Sequence, residues 1–221
     1  MIGPLRRKWK GSTATSSEYR RIFVTRAHQL LEMAWRQTEP GSLRELQEPE
    51  ITGELVRRMD EIIDDPGAPR WTRHLSVHDD PPSNVPGRLG SARRRLDIKI
   101  VSAQRSPRSR FSFEAKRLGD SHPVADYLGD EGLGRFLIGD YARDEADAGM
   151  LGYVQSGTPS DWATKLGEKI TNEPKRFGLV SGSSWQHQPF PNGPSHTYHT
   201  RHTRRKVGGH IEVYHTLMAC C

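Results

Sequence analysis

Asp97, Glu114 and Lys116 are the residues whose types and spacing best suit chemistry. They sit on two short runs of β type, Leu96-Asp97-Ile98-Lys99-Ile100-Val101 and Phe111-Ser112-Phe113-Glu114-Ala115-Lys116, joined by a polar turn. Strand side chains alternate between faces. Leu96, Ile98 and Ile100 therefore share one face, and Asp97 and Lys99 the other. Phe111, Phe113 and Ala115 share a face, and Ser112, Glu114 and Lys116 lie opposite. If both apolar faces enter one core, Asp97, Glu114 and Lys116 converge on one side of a hairpin. Two carboxylates beside an ammonium suit Mg²⁺-dependent hydrolysis of a phosphodiester. The carboxylates hold the cation, and the lysine orients the attacking water or neutralises charge developing at phosphorus. An acid among such apolar neighbours needs a use or a partner, because an unpaired buried charge is costly.

Asp97, a turn, and then Glu114-Ala115-Lys116 resembles the D…ExK signature of the PD-(D/E)XK superfamily, the restriction-endonuclease-like nucleases. The resemblance covers about the middle third of the chain. Arg95-Leu96-Asp97 stands where the name-giving Pro-Asp would be. It implies an α/β fold: a mixed central β-sheet flanked by helices, with a restriction-endonuclease-like core. It implies a metal-dependent nuclease hydrolysing phosphodiester bonds of DNA, an endodeoxyribonuclease rather than an exonuclease. The cofactor would be Mg²⁺, with Mn²⁺ able to substitute. Asp97, Glu114 and Lys116 would be catalytic, and Asp97, Glu114 and the Ala115 carbonyl would hold the metal. In this family a glutamate from the helix before the first catalytic strand often joins them, and the candidates are Glu54 and Glu50. The apolar stripe of that helix is Ile51, Leu55, Met59 and Ile62, and Glu54 lies at its edge. Glu50 sits further round but in the first turn, where an acid suits the helix dipole.

Composition is compatible with that partner. The chain has 221 residues, 33% of them hydrophobic, and a net charge of +6. Its pI is near 9.5 and its mean hydropathy −0.76. Arginine far outnumbers lysine, and guanidinium forks match phosphate oxygens. Arg93 and Arg94 precede the first catalytic run, and Arg105 and Arg108 lie in the turn; these four are expected to grip the DNA backbone beside the metal site. No apolar run is long enough to span a membrane, and the basic N-terminus lacks the apolar stretch of a secretory signal. The two cysteines, Cys220 and Cys221, are adjacent and carry no metal-ligand spacing. A reducing cytoplasm is the expected setting. With no P-loop and no specificity domain, a stand-alone nuclease or the effector of a phage-defence or restriction system is expected, with a protein partner or a homo-oligomer as further possibilities.

The surrounding elements follow from pattern. Residues 1–15 form a basic arm ahead of a single domain, 16–221. Helices are predicted over 17–38 and 49–63, the second preceded by Ser42-Leu43-Arg44-Glu45 in capping-box form. Residues 66–92 read as a long connection with one short strand. After the hairpin come a loop over 119–130, a helix over 131–148, a strand over 150–155 and a helix over 160–171 capped by Ser160. Strand candidates lie near 177–180, 197–202 and 210–218. Arg135 and Tyr141 fall on the helix after the hairpin as weaker site candidates.

Two other readings remain open. One is a non-catalytic nucleic-acid-binding or assembly subunit on a degenerate nuclease fold. The other is a zinc site built from His196, His199 and His202, although their spacing fits neither a strand face nor a helical i, i+4 pair.

Overall fold

The computed structural model describes residues 16–83, 87, 89–104 and 107–221. The expected basic arm, residues 1–15, and Arg105 lie outside them. Seven strands form one mixed sheet in the order β1-β2-β3-β4-β7-β6-β5. They are β1 (Leu75–Asp79), β2 (Ile98–Ser102), β3 (Ser109–Leu118), β4 (Asp147–Val154), β5 (Gln186–His187), β6 (Thr197–Thr203) and β7 (His210–Ala219). The strands β1, β2 and β3 pair antiparallel; β3, β4 and β7 run parallel; β6 and β5 return antiparallel. The fold is thus α/β around a mixed sheet.

Helices cover both faces. On one lie α1 (Ser16–Trp35) and α2 (Glu48–Asp64), whose Leu30, Leu31, Ile51, Leu55 and Met59 pack with Ile98, Ile100, Phe111, Phe113 and Ala115. Each such fully buried large side chain contributes roughly 1.5–3 kcal/mol. On the other lie α3 (Val124–Leu128), α4 (Leu133–Ile138), α5 (Pro159–Asn172) and α6 (Pro174–Phe177), packed with Leu118, Met150, Val154, Val213 and Leu217. The predicted stripe of α2 is buried in full.

Local chemistry explains the boundaries. Helix α2 starts in a capping box between Gln47 and Glu50, not at the predicted Ser42–Glu45, and Pro49 occupies its first turn. Thr158, not Ser160, caps α5 by accepting the Asp161 N–H at 3.1 Å. The helix predicted over 131–148 is cut short. Gly139 takes the left-handed conformation (φ 79°) and closes α4, and β4 begins at Asp147. The 119–130 loop contains α3, and the strand candidate near 177–180 reduces to one bridge, Leu179 to His202.

Central strand β4 is buried along its whole length. A Cβ on its Gly149 would stand 2.1 Å from the Phe113 ring. The bare backbone there leaves room for the Phe113 ring.

Candidate active site

Strand alternation delivers the polar face as expected, with one change. Ile98 and Ile100 enter the α1/α2 core, but Leu96 packs into the opposite layer. The chain turns before β2: the Leu96 N–H donates to Pro81 O, and Asp97 O accepts from the Asp80 N–H. Asp97 therefore sits at the mouth of the β2–β3 pair.

There the predicted trio meets. The Ala115 N–H donates to Asp97 Oδ2 at 2.6 Å. Lys116 Nζ donates to Glu114 Oε1 at 2.9 Å, to the Ala115 carbonyl at 2.7 Å and to Glu48 Oε1 at 3.0 Å. Glu114 is 4% exposed, and its Oε2 meets no hydrogen-bond donor among the described residues. Burial, together with the charge of Asp97, pushes the Glu114 carboxyl up to about 9. Burial also raises Asp97, against the pull of the Ala115 N–H and Lys116. Burial works against the Lys116 ammonium, yet the charges of Glu114 and Glu48 outweigh it and hold its pKa above the ordinary value. Without a cation, the crowding of the two acids is eased by a proton kept on Glu114 beside Asp97.

Of the acids in the first half of α2, Glu48 is the one that meets the trio, through Lys116, while the expected Glu54 and Glu50 are engaged elsewhere. Glu54 is held by Arg57 and Arg58 on the outer side of α2, with Arg58 Nε at 2.8 Å. Glu50 is engaged at the helix start, accepting the Gln47 N–H at 2.7 Å. Glu48 escaped the sequence reading because the wheel of the apolar stripe ranks acids by their nearness to the core. Glu48 instead opens the first turn, where it reaches Lys116 from the end of the helix. The signal available was its place immediately before Pro49, a residue that marks a first helical turn.

The 139–146 segment lines the same polar face. Tyr141 Oη donates to Arg95 O at 2.7 Å, and burial plus the charges of Glu114 and Asp97 raise its hydroxyl. Glu145 accepts from Ser112 Oγ at 2.8 Å and pairs with Lys99 at 3.5 Å. Arg135 turns to Asp140, at 3.0 Å, and to Glu131.

The arginines divide. Arg93 and Arg94 precede Asp97 and lie at the site's end of the hairpin, Arg94 exposed. Arg108 is exposed beside Ser109, the partner of Ser102 at the far end of β2–β3. Six residues from Glu114 at about 3.3 Å each, it stands roughly 20 Å away. The expectation that it lies beside the carboxylates is therefore corrected: a hairpin turn and its open mouth are at opposite ends. Three of the histidines near the C-terminus have protein partners. His199 pairs with Glu212 at 2.7 Å, and His202 and His215 both bond to Thr200.

Among the described residues no three His, Cys, Asp or Glu side chains stand ready to enclose an ion as they lie. The donors around Asp97 nevertheless fit a hard divalent cation, which takes carboxylate and carbonyl oxygens. The observation behind that fit is the buried, donorless Glu114 Oε2 beside a second carboxylate. An entering cation would share Glu114 and the Ala115 carbonyl with the Lys116 ammonium. Comparison with family models, with curated proteins and with solved structures finds no match for this chain.

Proposed function

We propose that this protein is a metal-dependent nuclease of the PD-(D/E)XK type, hydrolysing phosphodiester bonds of DNA. The observation that carries the reading is the convergence of Asp97, Glu114, Glu48 and the Ala115 carbonyl around Lys116, with Glu114 Oε2 buried and without a donor. The mixed sheet with helices on both faces is the architecture that the motif resemblance implies, and it supports a restriction-endonuclease-like core.

Asp97, Glu114 and the Ala115 carbonyl would hold Mg²⁺ or Mn²⁺, with Glu48 as the helix acid. When bound, the cation supplies Lewis-acid polarisation of the scissile phosphate. Lys116 keeps its proton throughout the working range, since the surrounding carboxylates hold its pKa up. It therefore acts as a hydrogen-bond donor and counter-charge, orienting the attacking water and offsetting charge on the phosphate, and not as a base. Tyr141 fixes the Arg95 carbonyl and with it the approach of the chain to Asp97. The test is incubation of plasmid and linear DNA with Mg²⁺, Mn²⁺ or EDTA. Cleavage that needs the cation supports the reading. DNA bound but never cut under any of these conditions moves the chain to a binding subunit on a degenerate nuclease fold.

A further inference from the structure

A second group of charged side chains lies at the other end of the sheet, where β3, β4 and β7 begin. The turn between β6 and β7, residues 204–209, is anchored there on three sides. The Arg205 N–H donates to Leu137 O at 2.9 Å at the end of α4, and its guanidinium donates to Arg176 O in α6. Arg204 is buried. It donates to the carbonyls of Ala142, Arg143 and Glu145 at 2.8, 2.9 and 2.7 Å, and to no carboxylate among the described residues. These contacts join α6, the turn and the 142–145 segment into one surface.

That surface presents Lys175, Arg176, Arg205 and Lys206 exposed, with Arg143 half-buried beside them. Three acids lie near them. Glu173 is taken by Lys169 and Arg176, Glu145 pairs with Lys99, and Asp144 stands near Arg204. Lys175, Lys206 and Arg143 have no carboxylate partner among the described residues. Burial lowers the pKa of Arg204 against the charges of Asp144 and Glu145, and the neighbouring Arg143 adds a smaller lowering. A fold that assembles uncompensated cations on one face creates a field that attracts polyanions. Among the described residues this surface presents no exposed apolar wedge for a bilayer, and its Val207 is partly buried against Gly139. Arginine forks favour phosphate over isolated carboxylates spread along a peptide.

We propose that α6 and the β6–β7 turn form a second nucleic-acid contact, gripping the sugar–phosphate backbone through Lys175, Arg176, Arg205 and Lys206. It rests on the nuclease reading for the identity of the polyanion. Its position gives it a separate task. Glu114, Met150 and His215 are neighbours across the sheet, and β7 starts five residues before His215, which is about 17 Å at roughly 3.4 Å per residue. Along a duplex this distance is about five base-pair steps of 3.4 Å. The surface therefore holds a stretch of backbone away from the scissile phosphate.

The experiment is fluorescence anisotropy of a labelled duplex in EDTA across a salt series. It compares the wild type, Lys175→Ala/Lys206→Ala and Lys175→Glu/Lys206→Glu, with circular dichroism confirming the fold. Each lost phosphate contact lowers the slope of log affinity against log salt by about 0.9, so the alanine pair should lower it by about 1.8. The glutamate pair should weaken binding more than tenfold. Unchanged slope and affinity in both folded double variants overturn the surface. So does competition by phosphatidylserine vesicles or polyglutamate that exceeds competition by unlabelled DNA. Metal-dependent cleavage with unaltered binding in the variants removes the surface and leaves the nuclease. The stated loss of slope without any cleavage removes the nuclease and leaves the surface.

Discussion

Glu114 and His215 lie in one row across the sheet, separated by Met150, and both are buried polar residues. They are treated in opposite ways. His215 has both ring nitrogens satisfied, Nε2 by Thr200 Oγ1 at 2.8 Å and Nδ1 by Tyr127 Oη at 3.3 Å. Thr200 continues to His202 at 2.7 Å, and His202 Nδ1 meets Phe177 O at 2.9 Å, which makes that nitrogen the donor. Every member is neutral and partnered, so this network ties the sheet to α3 and α6. Glu114 has one oxygen on Lys116 and one that meets no donor among the described residues, beside the Asp97 carboxyl. Buried polar groups are normally paired. The satisfied network is structural, and the Glu114 oxygen is where the proposed cation would bind.

The contrast can be broken most severely at the carboxylates. Asp97→Ala or Glu114→Ala is expected to lower DNA cleavage by about 10³-fold or more, about 4 kcal/mol in the barrier. Neither should lower the melting temperature in EDTA, because each removes a crowded acid. A cleavage rate equal to wild type in both would misplace the site. His215→Ala should do the reverse, costing roughly 3–5 kcal/mol in urea melts through the cavity and the orphaned Thr200 and Tyr127.

The two regions should also fail at opposite ends of the pH scale. Glu114 is raised from 4.5 to about 9 in the fold. Its contribution is complete below 4.5 and is lost as pH rises toward 9. His202 is lowered by burial from 6.5 to about 4, and His28 likewise, so their contribution is complete above 6.5 and is lost as pH falls toward 4. Urea melts in EDTA from pH 4 to 9 should show both losses. Glu114→Gln should flatten the alkaline limb alone; an alkaline limb that survives this change contradicts the assignment.

The smallest effects separate the helix acids. Glu48→Gln is expected to reduce cleavage or metal affinity by about 10–100-fold, as for groups that orient metal ligands. Glu54→Gln should leave cleavage unchanged and cost at most about 1 kcal/mol, since its arginine pairs are at the surface. Equal losses from both variants would erase the distinction drawn between them.

What could be read from the sequence depended on the range of the forces involved. Period-2 alternation is local, and it brought Asp97, Glu114 and Lys116 to one place. The apolar stripe of α2 is equally local and was legible residue by residue. Glu48 was not, because its role depends on where the end of α2 meets β3, a tertiary fact that no wheel contains. The helix expected over 131–148 failed at Gly139 and at Asp147, where pairing with β7 overrides local preference. Arg108 was misplaced because nearness along the chain is distance in space when a strand lies between.

Gly149 carries a practical consequence for anyone reading mutational scans. It has no functional group, faces no solvent and sits on a strand that contributes nothing directly to the candidate site. Yet any side chain there must displace the Phe113 ring, and Phe113 is bonded to Glu114. In a genetic screen for lost activity Gly149 would score beside Asp97 and Glu114. The way to tell them apart is solubility: a protein changed at Gly149 should disappear from the soluble fraction, whereas one changed at Asp97 should remain there, intact and inert.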